Sequence, residues 1–175
     1  MLVLAGVGLL PCATLAVSQS NEQQAASTPT AKVEEYLGER VVSILMKTTR
    51  IEALRVDPKA QQEWSKGPAK EVDTDSTAKL VAVLLNEDTY RWEGDSPIGL
   101  RCIFEPGVAY RFWKDKEVVS VLVCFKCSEV KFVSDNPEDK GDPFRRAIYA
   151  KLRPEIVQLT KQAFPNDKDI QALKE

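Results

Sequence analysis

Between residues 108 and 125, apolar side chains recur at every second position on both sides of Lys114-Asp115-Lys116-Glu117. That is the period of a half-buried β-strand. A two-residue loop at Asp115-Lys116 pairs Trp113 with Val118, Phe112 with Val119, Tyr110 with Val121 and Val108 with Val123. One face of this hairpin is then wholly apolar, from Val108, Tyr110 and Phe112 to Val119, Val121, Val123 and Phe125, and faces a core. The other face holds Arg111, Trp113, Ser120, Leu122 and Cys124, a mixed set suited to partial cover. Residues 129–133 predict a further strand, and 89–92 and 101–104 two short ones. Glu105-Pro106-Gly107 reads as a turn or bulge, because proline cannot donate to a ladder.

Helical periods flank this block. Leu37, Val41, Val42, Ile44 and Leu45 form a stripe that predicts one helix over 33–47. Residues 50–56 alternate like a strand, with a slip in the pattern at Leu54. The stretch 57–75 is polar apart from Trp64 and predicts a surface excursion. Ser76 can cap a helix carrying Leu80, Val81 and Leu84 to its end at Asn86. Residues 144–152 fit helix or extended chain equally well. Pro154 suits the first turn of a helix over 154–164, and Asn166 with Asp169 resembles the capping box of a last short one. Together these elements predict an α+β fold. It has a small, mostly antiparallel sheet around a central hairpin at about 108–125, with the helices near 34–47, 77–86 and 154–164 packed on one face.

The N-terminus departs from this pattern. Residues 1–17 carry no charged side chain and form an apolar run of signal-peptide length. Ala16 and Ser18 are small residues at the −3 and −1 positions of a cleavage site before Gln19. No Lys or Arg precedes the run, which leaves an uncleaved membrane anchor as an alternative. Lipidation at Cys12 is a third, with Pro11 against it, since processing there wants a small residue. Residues 1–18 thus read as signal peptide or anchor, 19–33 as a flexible polar linker and 34–175 as a single α+β domain. Contact with a membrane is expected only through the N-terminal segment, if it is retained or lipidated. The expected location is periplasmic or extracellular.

Composition narrows the chemistry. The chain has 175 residues, of which 43% are hydrophobic and 29% charged, enough for one core. A net charge of −2 with both signs interspersed argues against a nucleic-acid partner, which needs a clustered basic face. Histidine is absent. That removes Ser-His-Asp and Cys-His catalysis, H-E-x-x-H zinc hydrolysis and histidine pH switches. Glu87, Asp88, Glu93 and Asp95 read as solvated loop carboxylates, and the basic residues of 145–161 as a solvated helix face. No cofactor and no metal is implied, and the balance leans away from an enzyme.

The remaining chemistry lies in Cys102, Cys124 and Cys127. Cys124-Phe125-Lys126-Cys127 is a C-x-x-C pair, which can be a redox couple, half a metal site or one end of a structural disulfide. Redox use favours a low-pKa thiolate, typically at a helix N-terminus, but this motif lies between two strands. A metal site wants four ligands, and three cysteines without histidine fall short. In an oxidising compartment, a bridge within the 102/124/127 set is the leading reading. An unbroken ladder places Cys102 opposite Glu129, on the face of Cys127 and diagonal to it, which slightly favours Cys102–Cys127. A bulge at Pro106-Gly107 would reverse the parity and favour Cys102–Cys124. Arg111 and Trp113 are a weaker candidate binding surface on the outer sheet face.

With Cys102, the Pro106-Gly107-Val108-Ala109-Tyr110-Arg111-Phe112 run, Val121-Leu122-Val123-Cys124-Phe125-Lys126-Cys127 and the C-terminal Ala163-Phe164-Pro165-Asn166-Asp167 and Ile170-Gln171-Ala172-Leu173, the chain resembles an uncharacterised family of bacterial exported proteins. The resemblance spans roughly residues 40–174 and implies a bacterial, exported, single-domain protein with no activity to transfer. The expectation is an exported non-catalytic module, structural or binding, held by a disulfide. The alternative is a thiol redox protein using Cys124 and Cys127.

Overall fold

A computed structural model of the chain describes residues 28–57, 67–90, 102–134 and 145–175. The segment read as an export signal, Cys12 with it, and Trp64 and Trp92 lie outside the described residues.

Thr30 opens the fold as the cap of α1 (Ala31–Leu37), its side-chain oxygen accepting from the Val33 N–H at 3.4 Å. Gly38 follows with φ +82°, and α2 (Glu39–Met46) starts beyond it. The single helix expected over 33–47 is therefore two. Gly38 takes a dihedral that side chains resist, and the axis breaks there.

The strands are β1 (Arg50–Arg55), β2 (Lys70–Glu71), β3 (Val108–Lys114), β4 (Glu117–Cys124), β5 (Glu129–Ser134) and β6 (Arg145–Ile148). They form one sheet in the order β2-β1-β3-β4-β5-β6, and every neighbouring pair is antiparallel. Trp113 pairs with Val118, Phe112 with Val119, Tyr110 with Val121 and Val108 with Val123, the register that the alternation predicts. Asp115 carries the positive φ of the loop, +54°, which a short polar side chain tolerates better than most. The strand expected at 101–104 does not form: residues 102–106 are irregular and join no ladder. Residues 144–152 divide between β6 and a 3₁₀ turn at Ala150–Leu152. A second 3₁₀ turn, Glu87–Thr89, stands where the sequence suggested the start of a strand.

Among the described residues there are three further helices: α3 (Thr74–Leu85), α4 (Arg153–Ala163) and α5 (Lys168–Gln171). Asp73, not Ser76, caps α3 and accepts from the Ser76 N–H at 2.9 Å. Ser76 lies inside the first turn, nearly buried, with its hydroxyl 3.4 Å from Gln162 Oε1 on α4. Likewise Asp167, not Asn166, caps α5 through the Asp169 and Ile170 N–H groups.

All five helices contribute to one core with one sheet face. Leu37, Leu45, Leu84, Val157 and Ile170 meet Ile51, Tyr110, Phe112, Val121 and Phe132 there. Burying each such side chain contributes on the order of 1.5–3 kcal/mol. The fold is thus α+β with the helices packed on the apolar face of the sheet. A polar clasp lies inside this layer: Tyr110 Oη is 2.7 Å from Thr160 Oγ1, which donates to the Ile156 carbonyl at 2.7 Å. Thr160 spends its one proton on Ile156, so the Tyr110 hydroxyl is the donor between them.

The outer sheet face is covered more fully than the sequence suggests. Leu54, Val56 and Ala109, with Leu122 packed against them, form a second apolar cluster there. This explains the slip in the β1 pattern: Leu54 is buried on the opposite face from Ile51 and Ala53. Ser120, Cys124 and Glu129 on this face are also fully buried.

Candidate functional site

The three domain cysteines converge where β4 passes into β5. Cys124 is the last residue of β4 and pairs in register with Glu129, the first of β5. Residues 125–128 form the connecting turn, in which Ser128 has φ +55°. Phe125 turns inward to the core, and Lys126 points to solvent, 3.4 Å from Glu105.

Two residues ahead of and within the first turn of α4 hold this turn from one side. The Tyr149 N–H donates to the Ser128 carbonyl at 2.9 Å, and its phenol donates to the Cys124 carbonyl at 3.3 Å. Arg153 Nη1 donates to the Phe125 carbonyl at 2.6 Å and to Ser128 Oγ at 3.0 Å. Burial pushes the Tyr149 phenol well above its ordinary range, against the opposing pull of Arg153. The phenol therefore stays protonated and serves as a fixed donor.

From the other side a disulfide closes the turn. Cys102 and Cys127 are bridged, with Cα atoms 5.8 Å apart across a separation of 25 residues. Beyond Cys102 the chain reaches Gly107, whose N–H donates to the Val123 carbonyl at 3.0 Å. The Gly107 carbonyl accepts from Arg55 Nη1 at 2.7 Å, and Arg55 Nε lies 2.8 Å from Asp167. The bridge thus ties the lead-in of β3 to the β4–β5 turn, closing a loop around the central hairpin.

Among the described cysteines, Cys124 is the free thiol. It is fully buried on the outer face, with its sulfur 3.4 Å from the Cys127 backbone nitrogen, which donates to it. The fully buried Glu129 is its ladder partner. The motif's two cysteines therefore have different chemistry: Cys127 is oxidised and half-exposed, Cys124 reduced and shielded. The pairing is the one that an unbroken ladder slightly favours over Cys102–Cys124, but ladder parity is not its cause. Cys102 sits in no ladder and Cys127 lies in a turn, so the bridge follows from how residues 102–106 cross the hairpin end.

Trp113 and Arg111, the other candidates, lie on the outer face. The Trp113 indole N–H donates to Glu52 Oε2 at 2.9 Å, and the Arg50 guanidinium stands 5.0 Å from the ring centroid. Arg111 pairs in register with Glu52 and Ser120. Trp113 is held by its own sheet neighbours, with its indole N–H and one ring face engaged.

Sequence reasoning passed over a groove between α3 and α4. Two open depressions of about 330 Å³ each meet at Leu159 and Gln162. Lys79, Glu155 and Gln158 rim one, and Lys70, Asp73 and Ser76 the other. Such volumes stand at the lower end for small-molecule sites. Among the described residues no three metal-binding side chains converge, and no helix is long and apolar enough to cross a membrane. No protein-family model, curated protein or solved structure matches the chain.

Proposed function

We propose that this protein is an exported, non-catalytic module, structural or partner-binding, whose domain is stapled by the Cys102–Cys127 disulfide. The observation that carries the reading is the bridge itself. It takes Cys127 out of the C-x-x-C pair and spends it on closing the loop around β3 and β4. The turn that bears it is clamped by Tyr149 and Arg153, as suits a structural element. A persistent bridge also fits the oxidising compartments that exported chains reach. The α3/α4 groove is the surface on which a binding role would rest.

A thiol redox function through Cys124 and Cys127 has one feature in its favour, the Cys127 N–H directed at the Cys124 sulfur. Against it stand the shielding of Cys124 and the absence of a helix N-terminus at the motif. An insulin-reduction assay separates the two. The full chain should leave the rate of insulin reduction by dithiothreitol unchanged. Multiple turnovers above the uncatalysed rate would replace the structural reading with the redox one.

A further inference from the structure

Cys124 lies beside the bridge. The Cys127 N–H meets Cys124 Sγ at 3.4 Å. Within one cysteine the amide nitrogen and the sulfur are only ~3–4 Å apart, so the Cys124 and Cys127 sulfurs lie within roughly 7 Å. Shielding of Cys124 keeps external thiols and oxidants away from it. That accounts for a third cysteine surviving reduced in a chain built for an oxidising compartment, where an odd thiol otherwise pairs between molecules.

We infer that the staple has a second bonding state, reached when Cys124 exchanges into it and sets Cys102 free. Cys124 loses its proton to base, and its thiolate attacks Cys127 Sγ. The Cys124–Cys127 bond forms as the Cys102–Cys127 bond breaks. The electron pair leaves on Cys102, which takes up a proton. One disulfide exists before and after, so no outside oxidant or reductant is consumed.

The product has a three-residue bridge within the β4–β5 turn and an unpinned lead-in at 102–106. Cys102 then becomes the outward thiol, able to form a mixed disulfide with a partner's thiol–disulfide pair. Clamping of the turn by Tyr149 and Arg153 does not involve Cys102. The hairpin can therefore keep its register through the exchange. This inference goes beyond the structural reading and rests on the same Cys102–Cys127 bridge.

Trypsin distinguishes the two states, because Lys126 lies between the two cysteines of the motif. The original bridge joins peptide 102–111 to 127–131, and the exchanged one joins 117–126 to 127–131. The oxidised full chain is incubated with iodoacetamide at about pH 8.5, because both exchange and alkylation proceed through a thiolate, then quenched and digested. In the wild type, alkylated 102–111 should accumulate together with the 117–126/127–131 pair. It should appear roughly tenfold faster than in Cys124→Ser, which has no internal attacker. Cys102→Ser, oxidised with glutathione disulfide, should join 117–126 to 127–131.

Equal labelling of Cys102 in wild type and Cys124→Ser would overturn the inference. So would a folded Cys102→Ser that gives only glutathione adducts. Should Cys102→Ser not fold, the comparison of wild type with Cys124→Ser decides alone. Absence of the 102–111/127–131 pair from untreated wild type would instead refute the staple, and the proposed function with it.

Discussion

Breaking the Cys102–Cys127 bridge by Cys102→Ser in the presence of a phosphine reductant should destabilise the domain through its denatured state. The bridged residues are separated by 25 positions. Chain-entropy arithmetic for a loop of that length gives about 12 cal/mol/K, or about 3.5 kcal/mol at 25 °C. The native state loses little by comparison. Residues 102–106 join no ladder, and the Lys126–Glu105 pair at the rim is exposed on both sides, which makes it worth little. Residual structure in the unfolded hairpin lowers the figure, so a loss of roughly 2–3.5 kcal/mol is expected. Guanidinium denaturation of oxidised wild type against reduced Cys102→Ser measures it. The midpoint should fall and the slope should rise, because the unbridged chain exposes more surface when unfolded. In a thermal scan the same loss is a drop of about 10 °C for a domain of this size. Cys124→Ala, which removes one buried atom and no bridge, should cost only about 1 kcal/mol. The reasoning fails if Cys102→Ser lies within ~0.5 kcal/mol of oxidised wild type, the usual range of an ordinary surface substitution. It also fails if Cys124→Ala is the more damaging change.

Two further tests address other parts of the fold. Tyr110→Phe removes one donor from the buried clasp but leaves Thr160 bonded to the Ile156 carbonyl, so about 1 kcal/mol should be lost in urea unfolding. Thr160→Val strands the Tyr110 hydroxyl and should cost more, and the reverse order would refute the assigned donor direction. Acid should also destabilise the protein. For Asp167, burial favours the neutral form, but the Ile170 and Asp169 N–H groups and Arg55 outweigh it and hold the carboxyl below 3.8. Asp73 is lowered by the Ser76 N–H, and Glu117 by Arg40 and then Lys114. A lowered native pKa means stability that is present above the unfolded value and lost as pH falls through the native one. The urea midpoint should therefore decline from about pH 4 downward, and less steeply in Asp167→Asn. A midpoint that is flat from about pH 5 to about pH 2 would exclude these contacts as contributors.

The central hairpin was legible because three local signals agree on it. Its alternation has period two, its loop has two polar residues, and a one-residue slip would turn Tyr110, Phe112 and Val121 out of the core. The helix starts were less legible because several residues competed for one role. Asp73, Thr74, Asp75 and Ser76 can all cap, and the choice falls to Asp73 because Ser76 is drawn inward against Gln162. Such a contact between α3 and α4 spans 86 positions, so no local pattern contains it. β2 escaped notice for a related reason. Lys70 and Glu71 are both exposed, and an edge of two charged residues carries no hydrophobic period.

Cys102 shows why a site is harder to read than a fold. Parity along a ladder favours Cys127 over Cys124 as its partner only slightly, and Cys102 belongs to no ladder. What joins it to Cys127 is the path of residues 102–106 across the hairpin end, held by Gly107 between Val123, Val56 and Arg55. These are long-range contacts of an irregular segment, and periodicity says nothing about them. The same crossing gives the C-x-x-C motif its asymmetry. As the last residue of β4, Cys124 takes the outer-face position opposite Glu129 and is buried there, while Cys127, in the turn beyond, is left at the rim within reach of Cys102. Spacing alone presents two equivalent thiols. The strand boundary between them makes one a staple and the other a shielded thiol beside it, and that difference, rather than the motif, decides which chemistry the turn can support.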